Sequence, residues 1–71
     1  MKITYDPSVD ALYIQLSDAV VKRGVSDDSG FNLDYDNDGN VRGIEILYAS
    51  DRGIDPYQVI HQIAKHPTPQ T

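Results

Sequence analysis

The segment Asp34-Tyr35-Asp36-Asn37-Asp38-Gly39-Asn40-Val41-Arg42-Gly43-Ile44-Glu45 sets carboxylate and amide oxygens at the spacing of a calcium-binding loop, D-x-[DN]-x-[DN]-G-x5-E. In such a loop alternate side chains and a terminal Glu surround a hard cation, and the glycine makes the sharp turn. The ligands are aimed by an amphipathic helix on each side. Here the residues before Asp34 include Gly24 and Gly30 and alternate as a strand, while Ile46-Leu47-Tyr48 continues a β pattern after Glu45. The segment is therefore read as the turn of a β-hairpin.

A weaker cation site survives that reading. With Asp38-Gly39 as a two-residue type I′ loop, Asn37 opposes Asn40, and Tyr35, Leu33 and Phe31 face Arg42, Ile44 and Ile46. Every large apolar residue of both strands except Val41 and Leu47 then shares one face. A three-residue loop with a Gly39 bulge would instead set Leu33 against Gly43, so the apolar match favours the shorter loop. Asp34, Asp36 and Glu45 fall together on the opposite face, beside Asn32, where their oxygens could hold a divalent cation weakly. They serve equally well as a solvated face.

Other chemistry is thin. Glu45, between Ile44 and Ile46, would make a general acid or base if desolvated, but an isolated charged residue more often faces water. His61 and His66 have no partner at metal-ligand spacing. Ser8, Ser17, Ser26, Ser29 and Ser50 lie in loops or edges without a nucleophile-elbow context. No catalytic residue and no cofactor is assigned, and enzyme activity is not expected.

The elements that would position these groups are short. Lys2 to Tyr5 and Ala11 to Leu16 alternate about the connection Asp6-Pro7-Ser8-Val9-Asp10 and read as a hairpin. Val20 to Ser26, interrupted by Gly24, reads as an edge strand guarded by Lys22 and Arg23. Phe31 to Asp36 and Asn40 to Tyr48 form the second hairpin. Asp55 as N-cap, Pro56 at N1 and Gln58 at N3 begin a helix whose stripe is Val59, Ile60, Ile63 and Ala64. Pro67 and Pro69 end it, leaving 67–71 as a frayed tail to a single domain over 1–66. The expected fold is α+β: a four- to five-stranded, mainly antiparallel sheet of hairpins with one C-terminal helix packed on one face.

Composition narrows the function. With 71 residues the chain forms one domain with a thin core, and it has no cysteine for disulfides, thiolate sites or a Cys nucleophile. That usage fits a reducing cytosol. A net charge of −5 opposes nucleic-acid binding, and no apolar run or leader points to a membrane or to secretion. Ten Asp against a single Glu favour turns over helix interiors. With one helix covering one face, Tyr13, Val41 and Leu47 are expected to project from the other as an apolar contact surface.

Tyr5-Asp6-Pro7 with Asp10-Ala11-Leu12-Tyr13-Ile14-Gln15-Leu16, then Asp34-Tyr35-Asp36-Asn37-Asp38-Gly39 with Gly43-Ile44-Glu45-Ile46-Leu47 and Ala49-Ser50, resemble a family of small bacterial proteins. It is number twenty-two eighty-three among the domains of unknown function, and the resemblance covers residues 2 to about 50. It implies no activity and no catalytic residues. Relatives encoded beside toxin-like proteins imply an antitoxin-like partner role. The leading expectation is a cytosolic protein-interaction module, a homodimer or a binder of a small protein partner. The alternative is a weak divalent-cation binder through Asp34, Asp36 and Glu45.

Overall fold

The computed structural model describes residues 1–65, with side chains to residue 62. Five strands, β1 (Lys2–Asp6), β2 (Ala11–Gln15), β3 (Arg23–Ser26), β4 (Phe31–Tyr35) and β5 (Val41–Ile46), build one sheet in the order β1-β2-β5-β4-β3. All neighbouring pairs are antiparallel. A short 3-10 helix (Ser50–Arg52) and helix α1 (Pro56–Lys65) follow. The α+β architecture anticipated from the sequence is the one observed. Because β3, β4 and β5 are joined as hairpins while β2 lies beside β5, residues 16–22 must cross the end of the sheet, a Greek-key connection.

Strand alternation separates two faces. Across the strands, Tyr5, Leu12, Ile46 and Phe31 form one apolar row, and Ile3, Ile14, Ile44, Leu33 and Val25 form the next. The opposite face carries Thr4, Tyr13, Glu45, Asn32 and Ser26, then Lys2, Gln15, Gly43, Asp34 and Gly24. Leu12, 1% exposed, is the one large side chain fully buried among the described residues.

The helix begins where its caps dictate. Asp55 Oδ1 accepts the backbone N–H groups of Tyr57 (3.1 Å) and Gln58 (3.2 Å), and the Asp55 carbonyl accepts the first helical bond from Val59 (3.1 Å). The helix packs against β1, with the Tyr57 ring edge-on to Tyr5 at 5.5 Å. It packs on one face of the sheet, as expected, and lies over the β1 side of that face. A helix is about 10–12 Å wide, and strands lie about 4.8 Å apart, so one helix spans the β1 side and, among the described residues, leaves the β3–β4 side open. Val59 and Ile60 of its stripe are half-buried; Ile63 and Ala64 lie beyond the described side chains, and the expected frayed tail lies outside the described residues. No helix among the described residues is long and apolar enough to cross a membrane.

The second hairpin departs from expectation at its tip. Its loop is Asn37-Asp38-Gly39, three residues long, closed by Asp36 N–H to the Asn40 carbonyl (2.9 Å) and Gly39 N–H to the Asp36 carbonyl (3.3 Å). Gly39 takes a left-handed φ of 82°, the conformation that ends such a loop. Tyr35 consequently pairs with Val41 and not Arg42, whereas Asp34 pairs with Gly43 and Leu33 with Ile44. One extra residue, Arg42, has entered β5 as a bulge. The bulge restores the apolar pairing of Leu33 with Ile44 and Phe31 with Ile46 that the sequence demanded. It also exchanges two side chains, bringing Val41 onto the face of Tyr35 and sending Arg42 to the polar face.

Candidate functional site

Three places gather side chains of chemical interest. The first lies on the polar face over β2, β5 and β4. Arg42 Nη1 donates to the Tyr13 hydroxyl oxygen (2.9 Å), and that hydroxyl donates to Asp34 Oδ2 (2.8 Å). The arrangement needs Gly43. A Cβ there would overlap the Tyr13 ring and hydroxyl, so the missing side chain is what lets Tyr13 lie across β5 to reach Asp34. The Arg42 carbonyl accepts from Leu16 N–H (2.8 Å), and its Nε donates to the Ala19 carbonyl (3.0 Å), so the bulge also fastens the β2–β3 crossing. Desolvation, with the Asp34 carboxylate, raises the Tyr13 pKa against the opposing pull of Arg42. A phenol held in its protonated form is a poor base, and the cluster reads as a tie between strands.

Glu45 stands opposite Asn32, whose Nδ2 donates to Glu45 Oε1 (2.6 Å). Asp34 and Glu45 therefore do share a face, as expected. Asp36 does not join them: its Oδ1 accepts the N–H groups of Asp38 and Asn40 (2.9 Å each) and folds over its own turn. Among the described residues, no three or more His, Cys, Asp or Glu are grouped to hold a metal ion.

The second place is a corner where two parts of the chain meet. Asp10 and Tyr48 both adopt left-handed φ, 54° and 56°, a costly choice for a bulky residue such as Tyr48. Hydrogen bonds hold them there. The Asp10 carbonyl accepts from Ala49 N–H (3.0 Å). Its carboxylate takes the Ser50 hydroxyl (2.6 Å), the Ser50 N–H (3.1 Å to each oxygen) and the Tyr5 hydroxyl (2.7 Å). Ala49, 0% exposed, is sealed beneath. The Ser50 and Tyr5 hydroxyls keep the Asp10 carboxyl below its ordinary range, and the Asp10 acceptor holds the Tyr5 phenol up at about 12. A carboxylate stabilised in this way is a weak proton acceptor, so Ser50 gains no nucleophilic character from it. The corner is a clasp that joins the first hairpin to the segment leading into α1. Sequence reasoning placed Ser50 in a loop and gave Asp10 only a turn; a hydroxyl forty positions away leaves no local signal.

The third place is the open half of the apolar face. Tyr13, Val41 and Leu47, expected to form an exposed patch, do not form one. All three are half-buried: Tyr13 is tied into the polar cluster, the bulge turns Val41 to the other face, and Leu47 donates its N–H to the Gly30 carbonyl (2.9 Å). The exposed apolar groups of the sheet lie on β3 and β4 instead, where Val25 is 45% and Phe31 36% exposed around half-buried Leu33. Arg23 lies over the Tyr35 ring (4.4 Å) and Arg52 over the Phe31 ring (4.6 Å) at its margins.

A family model described as "Protein of unknown function (DUF2283)" matches residues 2–50, the five strands and the corner at Ser50. No curated protein and no solved structure matches the chain.

Proposed function

The chain belongs to the DUF2283 family of proteins of unknown function, and from that premise we propose that it is a protein-interaction module without catalytic activity. The observation that carries this reading is the unfinished apolar face: the sheet presents two apolar rows, and among the described residues helix α1 lies over the β1 side. An apolar surface of this kind on a small domain favours contact with another protein. The absence of cysteine fits action in a reducing cytosol, and a net charge of −5 favours a protein over a nucleic acid as partner. Both polar constellations support the same reading, since each spends its charged and hydroxyl groups on holding strands and corner together.

The test is light scattering of the purified chain at micromolar concentration, together with recovery of bound protein from extracts of the source organism. A dimer or a stoichiometric partner is expected. Val25→Asp should abolish either one while leaving the melting temperature within a few degrees of wild type, because Val25 is exposed. A wild-type monomer that retains nothing overturns the proposal.

A further inference from the structure

Among the five strands, β3 is the one whose residues are all exposed, and exposure runs unbroken over residues 20–29. It forms one edge of the sheet and, among the described residues, pairs with β4 alone. Asp27 N–H donates to the Phe31 carbonyl (3.0 Å), in step with the pairs Val25–Leu33 and Arg23–Tyr35. In an antiparallel ladder, hydrogen-bonded pairs recur at every second residue. Arg23, Val25 and Asp27 therefore turn their backbone groups towards β4, and Gly24 and Ser26 turn theirs outward. Lys22 N–H also reaches the Tyr35 carbonyl (2.7 Å), a bulge that ends the regular ladder on that side. The turn after Asp27 ends it on the other. The usable edge is thus Arg23 to Asp27, with Val25 at its centre.

We propose that a second copy of this chain adds to this edge, antiparallel about a two-fold axis at Val25, and joins the two sheets into one. The inference rests on the interaction reading above and names the occupant and its register. Outward groups must meet outward groups, so parity restricts the axis to Gly24, Val25 or Ser26. At Val25, Gly24 of each copy pairs with Ser26 of the other, and every outward group finds a mate. At Gly24 or Ser26, the pairing runs into the bulge or the turn. The axis at Val25 also places the basic end, Lys22-Arg23, beside the acidic end, Asp27-Asp28, of the other copy. The bonds that Asp27 makes within its own turn all use Oδ1. Edge cations that deter a foreign strand thereby admit this one. Val25, 45% exposed, would lie against its own counterpart. The β1 edge offers less, because its Ile3 and Tyr5 are already half-buried.

The experiment uses the full chain, so that residues 66–71 can compete for the edge, at concentrations where light scattering shows a dimer. With no native cysteine, a single introduced one reports what stands opposite it. In a glutathione redox buffer Val25→Cys should cross-link about ten-fold more than Arg23→Cys or Thr4→Cys, since non-hydrogen-bonded partners lie within disulfide reach. Ser26→Pro removes an outward N–H and no bond to β4. It should weaken the dimer at least about ten-fold while the melting temperature of the dilute chain stays within a few degrees. If that variant fails to fold, Arg23→Glu, set against Asp27 of the second copy, should weaken the dimer about ten-fold. A dimer that these substitutions leave intact, or cross-linking no greater at Val25→Cys than at the other two positions, overturns the inference. The interaction reading then stands, with the copies meeting elsewhere. A wild-type monomer also overturns the inference; the reading survives it if a partner is recovered from extract, and falls if nothing is retained.

Discussion

The two halves of the apolar face are built from similar residues and finished differently. On the β1–β2 half, Leu12 is closed off completely, Tyr5 meets Tyr57 of the helix, and the Asp10 clasp fixes the segment that delivers that helix. On the β3–β4 half, Val25, Leu33 and Phe31 continue the same rows, with Val25 and Phe31 exposed among the described residues. The difference teaches that apolar alternation states which side of a strand avoids water, but not what will cover it. Where the chain's own helix reaches, the pattern becomes core. Beyond that reach, among the described residues, it stays partly exposed.

The sharpest way to break this comparison is to truncate matched residues on the two halves and follow chemical denaturation. Leu12→Ala should cost about 2–5 kcal/mol, the range for emptying a buried leucine site. Val25→Ser in the monomeric state should stay within about 0.5 kcal/mol; equal costs would mean that the halves are equally packed. Next in size is Gly43→Ala, which should cost about 1–3 kcal/mol by driving Tyr13 off Asp34 and Arg42. The added cost should vanish in a Tyr13→Ala background, the signature of two residues in direct conflict. A Gly43→Ala variant as stable as wild type would show that the polar tie carries no weight.

The clasp gives a smaller effect that is best read through pH. The Asp10 carboxyl is depressed in the folded chain, so its contribution is present above the unfolded carboxylate pKa of about 3.9 and is lost as pH falls through the lower folded value. The Tyr5 phenol is raised from 10.0 to about 12, so its contribution is present below pH 10 and is lost as pH climbs from there through about 12. Tyr5→Phe should reduce the alkaline loss of melting temperature, with Tyr13, whose pKa is also raised, supplying a remainder. Asp10→Asn, which tolerates the left-handed backbone, should make both the acid and the alkaline limbs shallower. A melting profile in which neither limb responds would show that the clasp does not hold the corner.

How far the sequence alone reaches depends on the range of the interaction that decides each feature. The strands, the antiparallel class and the helix start at Asp55 were legible because alternation and capping act over two to four residues. The pairing of Leu33 with Ile44 was legible too, since only that register brings the apolar sets together. The route to it was not: the apolar match can be met by a short loop, or by a longer loop followed by a bulge, and the two differ in where Arg42 points. The Tyr13, Arg42 and Asp34 cluster therefore could not be read beforehand, although Gly43 inside a strand pattern was a sign of close approach. Of the expected patch of Tyr13, Val41 and Leu47, only Val41 changes face through the bulge; Tyr13 keeps its expected face and is drawn into the cluster there.

Local forces were thus enough to set the elements, their polarity and the acidic turn that reverses β4 into β5 without encircling an ion between helices. Tertiary structure alone decided the strand order, the clasp between Asp10 and Ser50, and which half of the sheet the helix covers. Each of these depends on groups that meet only after the backbone has crossed the sheet, and the finite width of one helix then determines how much apolar surface stays open.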